Sequence, residues 1–438
     1  MIKKFYVRNF RSILDLTLDM NYAEGKAPNG WQEDDSMPFI SDGVGADDNR
    51  VSPVLVLYGA NASGKTNIIQ AISQFLKIVR RGLRKSYRPN QFNRKYASTI
   101  FAIDYAVDGV NYSYLIEYDG NGICREELKS GRDELQGVYS IKDGKPSVSD
   151  LVTETYPDEK LQEIFKVECT SGSGKQIKTF LACLGENYQP LSREVTQAYR
   201  ALRDTVRVNL SNRVDIVEGI ELLSSGVNNS EARRLAQERV AQYLRKFDLS
   251  IEGFEIETRK LSDDEFYELL EKEGPINGAI RHRQGRNYLE RVTSVHRGAD
   301  GQLAMLDFLR DESDGTKLLA GIIALCLYAL DNGLVVAFDE LDRSLHPLVL
   351  VEIVKMFKLR RYNPHGAQLI ITAHDSVLME DSLLRLGEIG IVNNNVHSGT
   401  KLARLVDMRN SGMDIRNVHN FRKMYMEGLL SGIPYPCV

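Results

Sequence analysis

The chain has 438 residues, of which 42% are hydrophobic and 26% are charged, and its formal net charge is −4. This composition is typical of a globular protein of two or three domains, and the charge argues against a protein that coats nucleic acid over its whole surface. The five cysteines are scattered, without paired spacing or a metal-like cluster, so we expect reduced thiols in a cytoplasmic protein. We find no signal peptide and no apolar stretch of membrane-spanning length, so we expect no membrane contact.

The first strongly patterned segment combines a strand, a glycine loop and a helix. Val54 to Leu57 is a short, β-branched apolar run that predicts a buried strand, and apolar residues recur at helical spacing after Lys65. The loop between them fits G-x-x-x-x-G-K-[ST] in full, in the context that this pattern requires. Backbone N–H groups at such a helix start attract phosphates. We therefore predict a nucleoside triphosphate site built from Gly59, Ala60, Asn61, Ala62, Ser63, Gly64, Lys65 and Thr66.

Two of these residues have individual predicted roles. The Lys65 ammonium is expected to reach the β- and γ-phosphates, and the Thr66 hydroxyl to ligate Mg²⁺. The alternative is a glycine turn that precedes a helix by chance, but the strand and helix on either side favour the phosphate loop.

The middle of the chain carries less specific signals. Residues 189–249 are mostly helical in period without sustained heptads, which predicts a compact helical insertion rather than a long coiled coil. Two stretches, 77–95 and 281–297, are rich in lysine and arginine. They indicate either solvated surface or a contact with DNA or an acidic partner, because phosphate contacts need clustered cations.

A second buried strand, Leu334 to Phe338, ends in two adjacent carboxylates. A carboxylate at a strand end can hold Mg²⁺, and its neighbour can polarise the water that attacks a γ-phosphate. We therefore assign Asp339 to the metal and Glu340 to the general base. The alternative is an acidic strand end without a chemical role.

Two further segments complete the predicted site. A serine and a glycine open a strongly apolar helix, and such a helix start can bind an anion or can simply be capped by the serine. This turn comprises Ser313, Asp314, Gly315, Thr316 and Lys317. A third apolar strand begins at Gln368 and is predicted to end at His374, which we assign as a γ-phosphate sensor; the alternative is a structural histidine.

In this order the motifs resemble those of ABC-type ATPases, and more narrowly the RecF/SMC/OLD-like branch that includes RloA-like, AbiL-type and PARIS-system phage-defence ATPases. The resemblance extends over nearly the whole chain. It is carried by "FYVRNFRSILDLTL", "YGANASGKTNIIQAI", "ESDGTKLL", "FDELDRSLHP" and "NFRKMYMEGLLSGIPYP". The glutamine of the family's Q-loop is not evident, and Gln91 is only a weak candidate.

The resemblance implies an α/β fold of the ABC-type P-loop class, with a mixed sheet, an antiparallel β subdomain and a helical insertion. It implies ATP rather than GTP, a signature that contacts the partner's ATP through Ser313 and Gly315, and a D-loop at Ser344. Because the motifs lie far apart, we predict a discontinuous ATPase domain, 1–135 and 290–438, around an insertion at 136–289.

The function that this resemblance favours is a homodimeric, Mg-dependent ATPase that acts as a nucleotide-gated sensor or scaffold in bacterial phage defence. We expect dimers or multiples of dimers and a separately encoded effector, with a Toprim-type nuclease as one candidate, since this chain shows no such acidic cluster. One alternative is a RecF-like repair ATPase that acts on DNA through the basic stretches. The other is a scaffold that binds ATP without hydrolysing it.

Overall fold

The computed structural model describes most of the chain, and all structural statements concern these residues. They are 1–23, 37, 39–41, 50–83, 87–92, 95–149, 157–187, 193–210, 216–224, 230–247, 251–273, 280–283, 286–379, 383–395, 397–411, 421–428 and 430. Within them, each helix is too short or too polar to span a lipid bilayer.

The chain forms two compact units. The first comprises 1–210, 330–343 and 350–438, and the second comprises 211–329 and 344–349. These units divide the chain at residues other than 135 and 290. The discontinuous ATPase domain, 1–135 and 290–438, with its insertion at 136–289 stays a prediction.

An antiparallel sheet of seven strands forms one layer of the first unit. The strands run in the order β10-β9-β8-β7-β6-β1-β2. Their bounds are β1 Ile2–Phe10, β2 Ile13–Asp19, β6 Thr99–Val107, β7 Val110–Tyr118, β8 Ile123–Gly131, β9 Gln136–Lys142 and β10 Lys145–Val148. Alternating burial along β7 shows why its sequence forms a strand with one core-facing side. This sheet confirms the predicted antiparallel subdomain.

A six-stranded mixed sheet carries the predicted motifs. Its order is β11-β16-β17-β5-β18-β19, with parallel neighbours except for the antiparallel pair β18 and β19. The bounds are β5 Val54–Tyr58, β11 Val206–Asn209, β16 Val335–Phe338, β17 Gln368–Thr372, β18 Ile389–Asn395 and β19 Gly399–Arg404. The inner strands β5, β16 and β17 are buried throughout, as expected for parallel strands covered on both faces. A short pair, β3 Ile40–Ser41 and β4 Arg50–Val51, lies apart from both sheets.

Helices complete the first unit. Their bounds are α1 Lys65–Arg81, α2 Asp158–Ile164, α3 Phe180–Asn187, α4 Arg193–Asp204, α10 Pro347–Lys358 (of which the residues from Leu350 belong to this unit), α11 Leu405–Asn410 and α12 Phe421–Met426. The apolar face of α1 packs in the main core, where Phe75 contacts Phe5 and Phe101 with ring centroids 5.6 and 6.2 Å apart.

The second unit has its own sheet and helices. The sheet contains β12 Ile251–Leu261, β13 Ile280–Arg283, β14 Arg286–Arg297 and β15 Leu303–Asp307, with β14 paired to each of the others. Its helices are α5 Ile216–Ser224, α6 Ser230–Lys246, α7 Asp263–Glu273, α8 Phe308–Asp311 and α9 Asp314–Asn332, the last of which belongs to this unit up to Ala329.

Folding brings together two cysteines that the sequence spacing did not pair. The Sγ atoms of Cys169 and Cys183 lie 2.8 Å apart in the buried core of the first unit. Both are free thiols, as are Cys124 and Cys326, and Cys437 lies outside the described residues.

Lys358 and Glu388 form a buried ion pair in the first unit. The Lys358 ammonium donates to Glu388 Oε2, and each side chain is only 1% exposed. Burial lowers the pKa of Lys358, and the adjacent Glu388 carboxylate opposes that shift. We expect Lys358→Met to lower the apparent free energy of unfolding by about 3–5 kcal/mol, because it leaves Glu388 as a buried carboxylate without its cation. Urea denaturation followed by circular dichroism measures this change.

The same helix offers a matched control. Lys355 pairs with Glu352 at 2.6 Å on the surface of α10, so Lys355→Met should change stability by less than about 1 kcal/mol. The double variant Lys358→Met with Glu388→Leu should recover most of the loss. Equal stability of Lys358→Met and wild type would show that the pair is not charged in the folded protein.

Candidate nucleotide-binding site

The loop between β5 and α1 is shaped by its glycines. Gly64 has φ +102°, and a Cβ at this position would lie 2.1 Å from Thr400 Oγ1. Only glycine fits both the left-handed backbone and the contact with Thr400. The loop therefore enters α1 as a tight turn, with the helix N-terminus facing its interior.

Lys65 lies inside this loop. Its side chain donates to the carbonyl oxygens of Gly59 and Ala60 at 2.7 and 3.1 Å, and the residue is 5% exposed. Burial lowers the pKa of Lys65, whereas the carboxylates of three neighbours raise it. These neighbours are Asp342, Glu340 and Asp339. The ammonium is thus held where it can exchange loop carbonyls for phosphate oxygens.

Hydrogen bonds from two hydroxyl groups to the Asp339 carboxylate connect the start of α1 and the end of β17 to the end of β16. Thr66 Oγ1 donates to Asp339 Oδ1 at 3.2 Å, and Thr372 Oγ1 donates to the same oxygen at 2.8 Å. Burial raises the pKa of Asp339, and the two hydroxyl donors oppose this shift. A hydroxyl beside a carboxylate is a donor set that suits Mg²⁺, which prefers oxygen ligands and shares them with phosphates.

Glu340 has a constrained backbone beside Asp339. Its φ is +51°, a left-handed value, and its N–H donates to Thr372 Oγ1 at 2.6 Å. The carboxylate receives a hydrogen bond from Arg343 at 3.0 Å and lies 3.6 Å from His374 Nε2. The structure therefore brings the predicted base and the predicted sensor to one place, at the carboxyl ends of β16 and β17.

Asp342 is a site residue that sequence analysis did not single out. Its Oδ2 accepts hydrogen bonds from the backbone N–H groups of His374 and Asp375 at 2.5 and 2.6 Å. This carboxylate fixes the segment that carries His374 to the turn after Glu340. The available signal was a third acidic residue two positions after Glu340, inside the segment that resembles the D-loop.

Asn209 is a second position that sequence analysis missed. It ends β11, which runs parallel to β16, and its carbonyl accepts from the Asp339 N–H at 3.1 Å. An amide side chain at this strand end lies on the edge where parallel sheets bind ligands. Gln91, the weak candidate for the glutamine of the Q-loop, is exposed, and its side chain donates to the carbonyl of Pro89 at 3.4 Å.

A hydroxyl cluster supports the other side of the loop. Ser12 Oγ accepts from Asn67 Nδ2 at 2.6 Å and contacts Thr400 Oγ1 at 2.7 Å, and Thr400 Oγ1 donates to the Ser63 carbonyl at 3.3 Å. Ser12 follows β1 in the segment "NFRS", so the first turn of the chain helps to position the phosphate loop.

The predicted signature lies in the second unit. Ser313 and Asp314 are exposed, and Ser313 Oγ accepts from the Thr316 N–H at 3.1 Å, as an N-cap of α9. Lys317 approaches Asp314 at 3.7 Å, and Gly315 is half-buried. Ser344 ends a short 3₁₀ helix, and its side chain lies outside what the structure describes.

The basic stretches are only partly described. Arg80 donates to the carbonyls of Leu202 and Val206 at 3.2 and 2.7 Å, so this cation stabilises the first unit. Residues 84–86 and 93–94 lie outside the described chain, as do the side chains of 281–285.

The chain was compared with protein families, with curated proteins and with solved structures. The model of a family described as "AAA domain, putative AbiEii toxin, Type IV TA system" matches residues 54–380. No curated protein matches the chain.

Solved structures that are similar to this chain include two SMC head domains and a RecF complex. The SMC head domain from Thermotoga maritima is 14% identical, with a TM-score of 0.38 over 92% of this chain and 98% of that one. The Smc head from Pyrococcus furiosus, bound to the C-terminal domain of ScpA, is 11% identical, with a TM-score of 0.43 over 94% and 97%. The recombination mediator RecF-ATPrS is 15% identical, with a TM-score of 0.38 over 92% and 98%.

Proposed function

Because the chain belongs to this AAA-domain family and is an ABC-type ATPase of the RecF/SMC-like branch, we propose that it binds and hydrolyses ATP with Mg²⁺ as an ATP-sandwiched homodimer. The observation that carries this proposal is the 3.2 Å contact between Thr66 and Asp339, which are 273 residues apart in sequence. That contact unites a phosphate loop with a strand-end carboxylate, and Glu340 follows at once. The family membership also confirms the resemblance and the fold class predicted from the motifs.

In this proposal each residue has a defined task. Lys65 leaves the loop carbonyls and balances the charge of the β- and γ-phosphates. Glu340 accepts a proton from the attacking water; a bond forms between the water oxygen and the γ-phosphorus, and the bond to the β–γ bridging oxygen breaks, so that ADP leaves. His374, 3.6 Å from Glu340, contacts the γ-phosphate. Mg²⁺, held by Thr66, Asp339 and phosphate oxygens, would offset the negative charge that shifts to the leaving group.

The dimer follows from the signature turn. Ser313 and Asp314 are exposed at the start of α9, a helix that is strongly apolar along its length. An exposed helix N-terminus attracts phosphate oxygens through its backbone N–H groups and the helix dipole. We therefore assign this turn to the ATP held by a second copy, so that ATP joins the two subunits and hydrolysis releases them.

The biological role proposed is that of a nucleotide-gated sensor or scaffold in bacterial anti-phage defence that controls a separately encoded effector. The description of the matched family mentions a putative toxin of a toxin–antitoxin system, which supports defence over a general metabolic role. The RecF-like alternative, direct action on DNA, has less support because Arg80, one cation of the 77–95 stretch, binds carbonyls of its own chain.

The test is phosphate release per subunit against protein concentration, with and without duplex DNA, and with Glu340→Gln as the blank. We expect the rate per subunit to rise with concentration, because each site needs a residue from the partner. A rate that stays constant down to full dissociation would contradict the sandwich. A several-fold stimulation by DNA would favour the repair alternative, and wild-type rates equal to those of Glu340→Gln would favour the non-hydrolysing scaffold.

A further inference from the structure

The signature turn is preceded by a single extended residue. Glu312 follows α8, whose last residue is Asp311, and has φ −76° and ψ 154°; α9 starts two residues later, after Ser313. The direction in which Ser313 leaves the preceding helix is therefore determined at Glu312. Anything that holds this residue also orients the turn.

The side chain of Glu312 is bound to the sheet of the second unit. One oxygen, Oε1, accepts from Ser294 Oγ at 2.6 Å and lies 2.6 Å from His296 Nε2, which can donate to it. Ser294 and His296 are two residues apart on β14, so both side chains face the same side of the sheet. Ser294 is fully buried, and the side chains of His296 and Glu312 are 16% and 11% exposed.

This cluster does not have the geometry of a hydrolytic triad. The Ser294 hydroxyl is buried and donates to Glu312. One ring nitrogen, His296 Nε2, faces both partners, 2.6 Å from Glu312 Oε1 and 3.3 Å from Ser294 Oγ. A triad needs the histidine between serine and carboxylate and an accessible hydroxyl. The arrangement instead fixes Glu312 in place with two short polar contacts, which are strong because one partner is charged and the site is largely shielded from water.

The helix before Glu312 is anchored as well. Phe308 is fully buried, and its ring packs edge-on against Phe254 of β12 with centroids 5.3 Å apart. Asp307 caps this short helix by accepting from the N–H groups of Leu309 and Arg310. Phe308 thus holds α8 in place, and the contacts to Ser294 and His296 hold Glu312, the residue that joins α8 to the signature turn.

We propose that Glu312, Ser294 and His296 form a positioning cluster that holds the Ser313 turn in the orientation needed to bind the triphosphate of a second subunit. The proposal rests on the proposed function, in which this turn acts across the dimer. The three residues do not touch ATP; they act through the backbone of Ser313. Their loss should therefore weaken association that depends on ATP and spare ATP binding by one subunit, which uses Lys65 and Thr66.

The test uses the full chain with Glu340→Gln as background, so that ATP persists. Two quantities are measured for each variant: the Kd of a fluorescent ATP analogue at protein concentrations too low for dimers, and the Kd of dimerisation at saturating MgATP by analytical ultracentrifugation. We expect His296→Ala and Glu312→Ala to raise the dimerisation Kd at least tenfold and to change the analogue Kd less than twofold. His296→Gln, which keeps a donor for Glu312, should restore much of the association.

Arg297→Ala is the matched control, because Arg297 adjoins His296 on β14 but pairs with Glu252 at the surface, at 3.0 Å. It should match the background in both measurements. An unchanged dimerisation Kd in His296→Ala and Glu312→Ala would overturn the positioning cluster. An equal rise in the analogue Kd and the dimerisation Kd would also overturn it, because it would indicate general unfolding. If the Glu340→Gln background itself fails to dimerise with MgATP, the proposed sandwich is wrong, and the inference fails with it.

Discussion

Glu340→Gln is expected to lower phosphate release per subunit by roughly 10²- to 10⁴-fold, the range that removal of a general base produces. Glutamine has nearly the same shape as glutamate, and its oxygen can still accept the 3.0 Å hydrogen bond from Arg343. It cannot, however, take a proton from water. ATP affinity should remain within a few-fold of wild type, because Lys65 and Thr66 are untouched, so pre-steady-state phosphate release and nucleotide titration together measure the effect.

Arg343→Ala serves as the companion variant. It removes the exposed cation that binds Glu340 and leaves the base itself in place, so hydrolysis should change by less than about tenfold. If Glu340→Gln retained most of the wild-type rate, another group would be the base. Asp342 would then be an unsuitable replacement, since its carboxylate is bonded to the backbone N–H groups of His374 and Asp375.

Glu126→Leu is expected to lower the apparent free energy of unfolding by about 3 kcal/mol or more, because it leaves several buried donors without an acceptor. Glu126 is fully buried in the first unit. Its carboxylate accepts from the hydroxyls of Tyr114 and Tyr139, the amide of Gln176 and the backbone N–H groups of Phe180 and Leu181. One side chain thus joins the antiparallel sheet to the N-terminus of α3. Urea denaturation followed by tyrosine fluorescence measures the loss.

Glu126→Gln should be intermediate, since its amide oxygen still accepts but its NH₂ group faces other donors. The adjacent Glu127 is the control: its side chain is half-buried and binds Arg125 at 2.7 Å. Glu127→Gln keeps an acceptor oxygen for Arg125 and should change stability by less than about 1 kcal/mol. A fully stable Glu126→Leu protein would mean that these donors find other acceptors after rearrangement.

The motifs could be located from sequence because each depends on local chemistry. The strand Val54–Tyr58 and the helix that begins at Lys65 follow from an apolar run, two glycines and helical spacing, all within thirty residues or so. The strand that ends before Asp339 and the strand that leads to His374 have equally clear apolar runs. Strand Gln368–Thr372 ends two residues before His374, which lies in the following turn.

Contacts between distant residues could not be predicted in this way. The Asp342 carboxylate binds the backbone beyond Thr372, and sequence spacing carries no signal for a side chain that reaches a backbone N–H more than thirty residues away. The pair Cys169 and Cys183, and the cluster around Glu312, arise from strand and helix packing rather than from a motif. Asn209 was hidden because its strand has four residues and a weak apolar pattern.

The order of strands in the mixed sheet has a consequence for the synthesis of the protein. Strand β5 is fully buried, and both of its neighbours, β17 and β18, come from residues 368–395. A ribosome that adds 5–20 residues per second completes these neighbours on the order of 15–60 s after β5 has been made. During this interval the nascent chain carries an apolar strand with two unpaired edges, which is a hazard for aggregation. Efficient production in cells should therefore depend on chaperones that shield the early part of the chain until its last quarter has emerged.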